Sequence, residues 1–290
     1  MTRRERLGIL TMVATMLIFA AQDGISKHLA EATNVMSVVL FRYWFFALFV
    51  VAISSARPGG LRAAARTERP LLQITRGILL VTQVCVMVYL FGALGLVEAH
   101  AIFSAYPLII AALSGPFLGE RVGWRRWSAI VLGFVGVLVI LRPGFRAVTP
   151  DLMIALLSAT LFAIYSVLTR VAGQSDRAET SFFYTGIIGG LAITLAAPFV
   201  WHPMETPGDW AWMAVLCLTG AGGHFLLIQT YALAEASLVQ PFAYFHLLFS
   251  AIIGLTVFSE RPDSATLVGA GIILLAGLYT LARTRFRESG

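Results

Sequence analysis

The chain has 290 residues, of which 58% are hydrophobic and only 12% charged, with a formal net charge of +6. Soluble domains carry about 25% charged residues, so this composition excludes an ordinary soluble enzyme or signalling domain and points to a chain solvated by lipid. In a soluble protein the positive balance would suggest nucleic acid; here the basic residues fall between apolar runs, where they report membrane orientation.

Ten apolar runs of membrane length follow one another. The first, 7 to 25, comes after Arg3, Arg4 and Arg6 and carries Phe19, Ala20 and, near its far end, Asp23. Such a start also reads as a secretory signal, but the same segment recurs in mid-chain. The second run, 35 to 55, holds Arg42; the third, 71 to 94, holds Arg76, Gln83 and Cys85. The fourth, 98 to 118, starts at Glu98 and contains Tyr106 and Pro107, and the fifth, 124 to 141, is Gly-rich. The sixth to eighth are 150 to 171, 179 to 201 and 210 to 233, the last with Cys217, Gly220, Gly222, Gly223 and His224. The ninth, 238 to 258, holds Pro241, Tyr244 and His246, and the tenth, 264 to 282, is again Gly-rich.

The runs repeat about halfway along. Phe19 and Ala20 precede Ser26 and Lys27 as Phe162 and Ala163 precede Thr169 and Arg170. Glu120 and Arg121 close the fourth run, and Glu260 and Arg261 close the ninth. Starting in the cytoplasm, the loops on the inner side collect fifteen arginines, from Arg3 through Arg57, Arg121 and Arg177 to Arg287. The outer side collects four basic residues, Lys27, Arg142, Arg146 and Arg261. The excess of inner positive charge requires an even number of spans. The expected fold is therefore an all-α integral membrane protein of ten transmembrane helices. Residues 1–146 and 147–290 form two five-helix repeats, inverted relative to each other, with both termini cytoplasmic.

The stretch Tyr106, Pro107, then Leu118, Gly119, Glu120, Arg121, then Gly133 and Gly136, has a counterpart in Pro241, Tyr244, then Glu260, Arg261, Pro262, Asp263, then Gly269 and Gly277. These residues resemble the drug/metabolite transporter superfamily, specifically its EamA-type ten-span members, over essentially the whole chain. The length and aromatic-rich spans are most similar to bacterial aromatic amino acid exporters of the YddG type. The resemblance implies export of small metabolites, above all amino acids, from a bacterium across its inner membrane. Drugs, sugars or nucleobases are the alternative cargoes. The halves have diverged: Arg42 has no basic counterpart in the seventh span, and Pro107 precedes Glu120 by 13 residues whereas Pro241 precedes Glu260 by 19.

A transporter site lies near the bilayer midplane, about 8 to 14 residues into a span of roughly 30 Å. Gln83, Tyr106, His224, Tyr244 and His246 meet that depth and are the candidate substrate-binding residues. The tyrosines offer stacking faces; Gln83 and the histidines offer hydrogen bonds. A lone polar residue in a membrane helix more often bonds a neighbouring helix, an interaction of about 0.6 kcal/mol, so it is their common depth that carries the reading. Pro107 and Pro241, with Gly220, Gly222 and Gly223, are expected to break or loosen the backbone there. Arg42 lies about 10 Å from the outer face, where an unpaired charge costs at least about 2.5 kcal/mol. Asp23 is the expected partner, as a structural tie or an outer gate. Arg76, about 8 Å from the inner face, is within reach of snorkelling. Glu120 and Glu260 are expected to cap or tie the turns they occupy, and Gly115 with Gly119 and Gly186 with Gly190 to mark close helix packing.

An intramembrane enzyme would need clustered catalytic or metal-ligating residues. His28, His100, His202, His224 and His246 are scattered along the chain, with no pair one helical turn apart. No catalysis, metal, cofactor or nucleic acid is therefore expected. The partners are a small-molecule substrate and the lipid bilayer, and a monomer suffices.

Overall fold

In a computed structural model of the chain, residues 2–119, 124–141, 149–196 and 202–285 are described, without the side chains of residues 125, 126, 129, 130, 237, 241 and 277–285. Glu120, Arg121, Arg142 and Arg146 lie outside the described residues. All described elements are helices: α1 (Arg3–Ala32), α2 (Val35–Ser55), α3 (Gly60–Ala64), α4 (Pro70–Ala93), α5 (Leu96–Phe103), α6 (Tyr106–Leu118) and α7 (Trp124–Leu141). After them come α8 (Pro150–Ala172), α9 (Ala178–Ala196), α10 (Pro207–Leu233), α11 (Ala236–Ala243), α12 (Phe245–Thr256) and α13 (Ser264–Arg285). In hydrocarbon every backbone N–H and C=O must be satisfied within the segment, and helices do this.

Local chemistry sets where the helices start. Thr2 and Glu5 form a capping box on α1, the Thr2 hydroxyl accepting the Glu5 N–H at 3.2 Å and the Glu5 carboxylate accepting the Thr2 N–H at 2.6 Å. The Asn34 side chain accepts the Ser37 N–H at the start of α2. Pro70, Pro150 and Pro207 open α4, α8 and α10, where their missing N–H costs nothing. Seven helical stretches among the described residues are long and apolar enough to cross a membrane, and α7 and α13 hold the shorter apolar stretches Val131–Leu141 and Ser264–Ala276. Large apolar side chains such as Leu48, Leu71 and Leu195 are at least 70% exposed. On a water-soluble protein that would be a liability; facing lipid it is the expected surface.

Two spans are broken. Pro107 supplies no N–H to the Phe103 carbonyl, and α5 ends at Phe103 before α6 begins at Tyr106. The ninth run divides at Tyr244, between α11 and α12. Pro241, expected to make that break, sits within α11, and its side chain lies outside the described residues. The glycines of the eighth run do not break their helix, contrary to expectation: α10 continues through Gly220, Gly222 and Gly223. Two of them make room instead. A Cβ on Gly220 would stand 2.8 Å from Arg42 Nε, and one on Gly223 would stand 2.7 Å from the Phe19 ring.

α1 packs along α10 and α12, and α8 packs along α4 and α6; α2 pairs with α9, α7 with α13 and α6 with α11. Small residues set the closest approaches. Gly186 and Gly190 of α9 lie against Phe46, Tyr43 and Ala47 of α2, as expected for that pair, and Gly136 of α7 meets the backbone of Gly269. Gly119 instead ends α6 in a left-handed conformation, φ +68°.

Candidate functional site

A cavity of about 40 Å³ lies where α1, α2, α4, α5, α8, α10 and α12 converge. Its walls are aromatic, from Phe19, Phe91, Phe103 and Phe162, and its polar groups are Gln22, Asp23, Arg42, Gln83, His224 and His246. Of the five expected binding residues, Gln83, His224 and His246 line it. Tyr106 and Tyr244 do not. Tyr106 is buried behind the wall, its ring 4.8 Å from that of Phe103 and 4.9 Å from that of Phe162, and its hydroxyl donates to Met16 Sδ. Tyr244 is buried too.

The two charged residues face the same cavity but do not pair with each other. Arg42 Nη2 donates to the Gln22 carbonyl at 3.1 Å and lies 3.3 Å from His224 Nε2. Asp23 turns the other way: its Oδ2 lies 3.0 Å from His100 Nε2 and 2.8 Å from His246 Nε2. Arg42 thus does bond α1, but through Gln22, the neighbour of its expected partner, while Asp23 finds its partners on α5 and α12. Asp23, His100 and His246 form a cluster whose facing side-chain N and O atoms all lie within 4.8 Å of one another, so two of the five histidines, far apart in sequence, meet in space. His100 was the missed member. It lies in the last turn of α5, is 1% exposed, and stacks on Phe91 at 5.2 Å. Its separations from Asp23 and His246 along the chain gave no local signal.

Beyond Asp23 one end of the bundle is tied by Glu260. Its carboxylate accepts the Lys27 ammonium at 2.6 Å and the Leu96 and Val97 N–H groups at 2.7 and 2.9 Å. Glu260 was expected to cap its own turn; it caps the N-terminus of α5, where free N–H groups and the helix dipole favour an anion. Burial raises its proton affinity, but the hydrogen bond from Lys27, those from Val97 and Leu96, and the Lys27 charge outweigh this and hold the carboxyl below its ordinary range.

The opposite end is tied by a second polar network. Arg76 is fully buried rather than snorkelling. Its guanidinium donates to Thr169 Oγ1 at 3.0 Å and to the Gln73 carbonyl, and it lies over the Tyr165 ring, 5.3 Å from the centroid. Gln73 in turn donates to Asp176 at 2.7 Å and Ser181 at 3.2 Å, and Asp176 also accepts from Thr67 and the Glu68 N–H. Partial burial pushes the Asp176 carboxyl up, but the bonds from Thr67, Gln73 and Glu68 and the Arg76 charge bring it below its ordinary value.

The EamA-like transporter family matches this chain twice, over residues 6–142 and 150–282. An S-adenosylmethionine uptake transporter of Rickettsia bellii is 28% identical over 282 residues, covering 95% of this chain and 93% of its own. A riboflavin transporter of Rhizobium johnstonii is 31% identical, covering 98% and 94%. The pseudopaline exporter CntI of Pseudomonas aeruginosa is 23% identical over 96% of each chain. A crystal structure of a protein 18% identical superposes with a TM-score of 0.70 over 96% of this chain and 98% of that one, which speaks to the fold alone. The chain belongs to the EamA-like transporter family, within the drug/metabolite transporter superfamily, and is a membrane transporter rather than an enzyme.

Proposed function

We propose that the chain carries amino acids or amino-acid derivatives, by alternating access around the cavity at Arg42. The observation that carries this is the company Arg42 keeps. It faces an aromatic cavity with a neutral amide and an imidazole as its hydrogen-bond partners, and a solute carboxylate there would supply a counter-ion. Guanidinium groups suit carboxylates because both are planar and can bond in pairs. Phe19, Phe91, Phe103 and Phe162 offer an apolar or flat side chain a matching wall, and Gln83 and His224 offer further hydrogen bonds. Arg42 then anchors substrate instead of closing a gate with Asp23, and Tyr106 supports the wall from behind, against Phe103 and Phe162.

A cavity of about 40 Å³ is far smaller than the roughly 300 Å³ or more of a small-molecule site, so binding requires one end of the bundle to open. The Glu260 and Asp176 networks are the proposed outer and inner ties. The inner assignment is supported by the arginines gathered at the Asp176 end, where Arg57 and Arg177 lie near Glu179. Ten spans in two inverted halves, with cytoplasmic termini, are supported by the exchanged packing of α1 on α10 and α8 on α4, and by a family match that falls once in each half. Bacterial relatives support placement in a bacterial inner membrane. Export is the direction the sequence resemblance implies; the names of the relatives run both ways, one for uptake and one for export, so gradients rather than the fold are proposed to set it.

The test is counterflow into proteoliposomes holding the purified full chain, with phenylalanine, tyrosine, tryptophan, S-adenosylmethionine, riboflavin, a hexose and a nucleobase. Saturable exchange of at least one carboxylate-bearing solute is expected. Exchange confined to the riboflavin, hexose or nucleobase arm overturns the amino-acid reading.

A further inference from the structure

We propose that Asp23, His100 and His246 form a proton-binding site, so that a proton is the coupling ion of the transport cycle; this rests on the transport reading above and extends it. The geometry leads there by counting hydrogens. His100 Nδ1 lies 2.9 Å from the Leu96 carbonyl, and a carbonyl only accepts, so Nδ1 carries a proton. In a neutral ring Nε2 would then be a bare lone pair, yet it lies 3.0 Å from Asp23 Oδ2, another lone-pair atom. Two acceptors do not rest at that distance. A cation must lie between them, and a proton satisfies both.

Charge favours a proton over a divalent metal. With one extra proton the cluster is an aspartate, an imidazolium and a neutral imidazole, net zero. A divalent ion would leave it net positive beside Arg42 of α2, which lines the same cavity, in a region where unbalanced charge is costly. The other titratable groups nearby are His224 on α10, Tyr106 at the start of α6, Glu98 in the first turn of α5, and Lys27 one turn along α1, itself balanced by Glu260. Gln83 is what α4 contributes to the cavity's polar groups.

The proton also has mechanical leverage. Asp23 lies on α1, His100 in α5, and His246 in the first turn of α12, next to the break at Tyr244. The cluster therefore ties the two broken spans to α1. In the step we assign, the Nε2 proton of His100 leaves to water admitted to the cavity. His100 remains neutral with its Nδ1–H on Leu96, and Asp23 keeps its bond from His246 Nε2–H. The bare Nε2 then faces the carboxylate and the α1–α5 contact is released. Uptake of one proton from the other side restores it.

The test is magnetic resonance on the wild-type full chain in lipid bilayers, labelled with [15N]histidine and [13C]aspartate, from about pH 5 to 9, which brackets histidine titration. The expected result is one doubly protonated imidazole, or one protonated carboxyl, that loses its proton in a single step. The signal should vanish in His100→Gln and move in His246→Gln and Asp23→Asn. Neutral histidines and an ionised Asp23 throughout would overturn the proposal. So would one equivalent of zinc bound at neutral pH and lost in Asp23→Asn, which would make the cluster a metal site. Counterflow on the same samples separates the two readings: exchange with no titration step removes the proton site alone, and a titration step with no exchange of any solute removes the amino-acid reading alone.

Discussion

The Lys27 ammonium and the Glu260 carboxylate meet at 2.6 Å, joining α1 to the segment that leads into α13, and the same carboxylate receives the first N–H groups of α5. One side chain thus holds three parts of the chain at one end of the bundle.

This carboxyl is held below its ordinary value in the folded protein by Lys27 and the α5 N–H groups, against the effect of burial. A group with a depressed folded value adds stability at pH above its unfolded value, about 4.3 for glutamate, and that stability is lost as pH falls through the folded value. Thermal unfolding of the wild type in detergent should therefore decline below about pH 4.3. Glu260→Gln should be less stable than wild type at pH 7 and should show a shallower acid decline, since the amide that replaces the carboxyl has nothing to titrate. Parallel acid limbs for the two proteins would remove Glu260 from the account.

Gly95 precedes α5 with φ +81° and ψ 167°, a region open essentially to glycine alone, where other residues cost about 1–3 kcal/mol. A Cβ there would also stand 3.1 Å from the Glu260 carboxyl. Gly95→Ala should lower the midpoint of thermal unfolding by an amount corresponding to about 1–3 kcal/mol. The loss should be smaller when Glu260→Ala is already present, because the contact with the carboxyl is gone; a strictly additive double variant would leave only backbone strain.

Much of the helical framework was legible because apolar length needs no partner. Runs 35 to 55 and 124 to 141 coincide with α2 and α7, and 150 to 171 is within one residue of α8. The cavity was half legible. Depth along a span picked out Gln83, His224 and His246, since the midplane is a property of each helix by itself. It also picked Tyr106 and Tyr244, because depth does not say which face of a helix meets the cavity. The partners of Asp23 were hidden, 77 and 223 residues away, as was the reach of Glu260 to α5. Arg76 looked free to snorkel on depth alone, and only the neighbouring Gln73, Thr169 and Tyr165 explain its burial. Gly220 and Gly223 of α10 carry a true signal with another cause: they mark room for Arg42 and Phe19, not a break.

At the other end, Asp176 collects Thr67, Gln73 and the Glu68 N–H and so joins the loop after α8 to the start of α4. Asp176→Ala removes every one of these acceptor contacts and should bias that end open. The readout is a thiol introduced as Ser181→Cys, buried in the closed form. Its reaction with a membrane-impermeant maleimide should be at least several-fold faster with Asp176→Ala than without it, while Glu260→Gln should not speed it. Equal rates in all three backgrounds would mean that the Asp176 network does not close this end.

Arg42 and Gly220 allow the substrate reading to be tested from two sides. A hydrogen bond to a charged group contributes about 1.5–3 kcal/mol, so Arg42→Gln should raise KM for a carboxylate-bearing solute by about 10-fold or more. The corresponding amine lacking the carboxylate should be nearly unaffected, because it has no group for the guanidinium to hold. Gly220→Ala leaves the charge in place but puts a methyl 2.8 Å from Arg42 Nε. The guanidinium is the far end of a flexible side chain and can shift, so unfolding should change little while KM rises by less than in Arg42→Gln, again only for the carboxylate. A rise that is equal for acid and amine in both variants would show that Arg42 shapes the cavity without contacting the solute's charge.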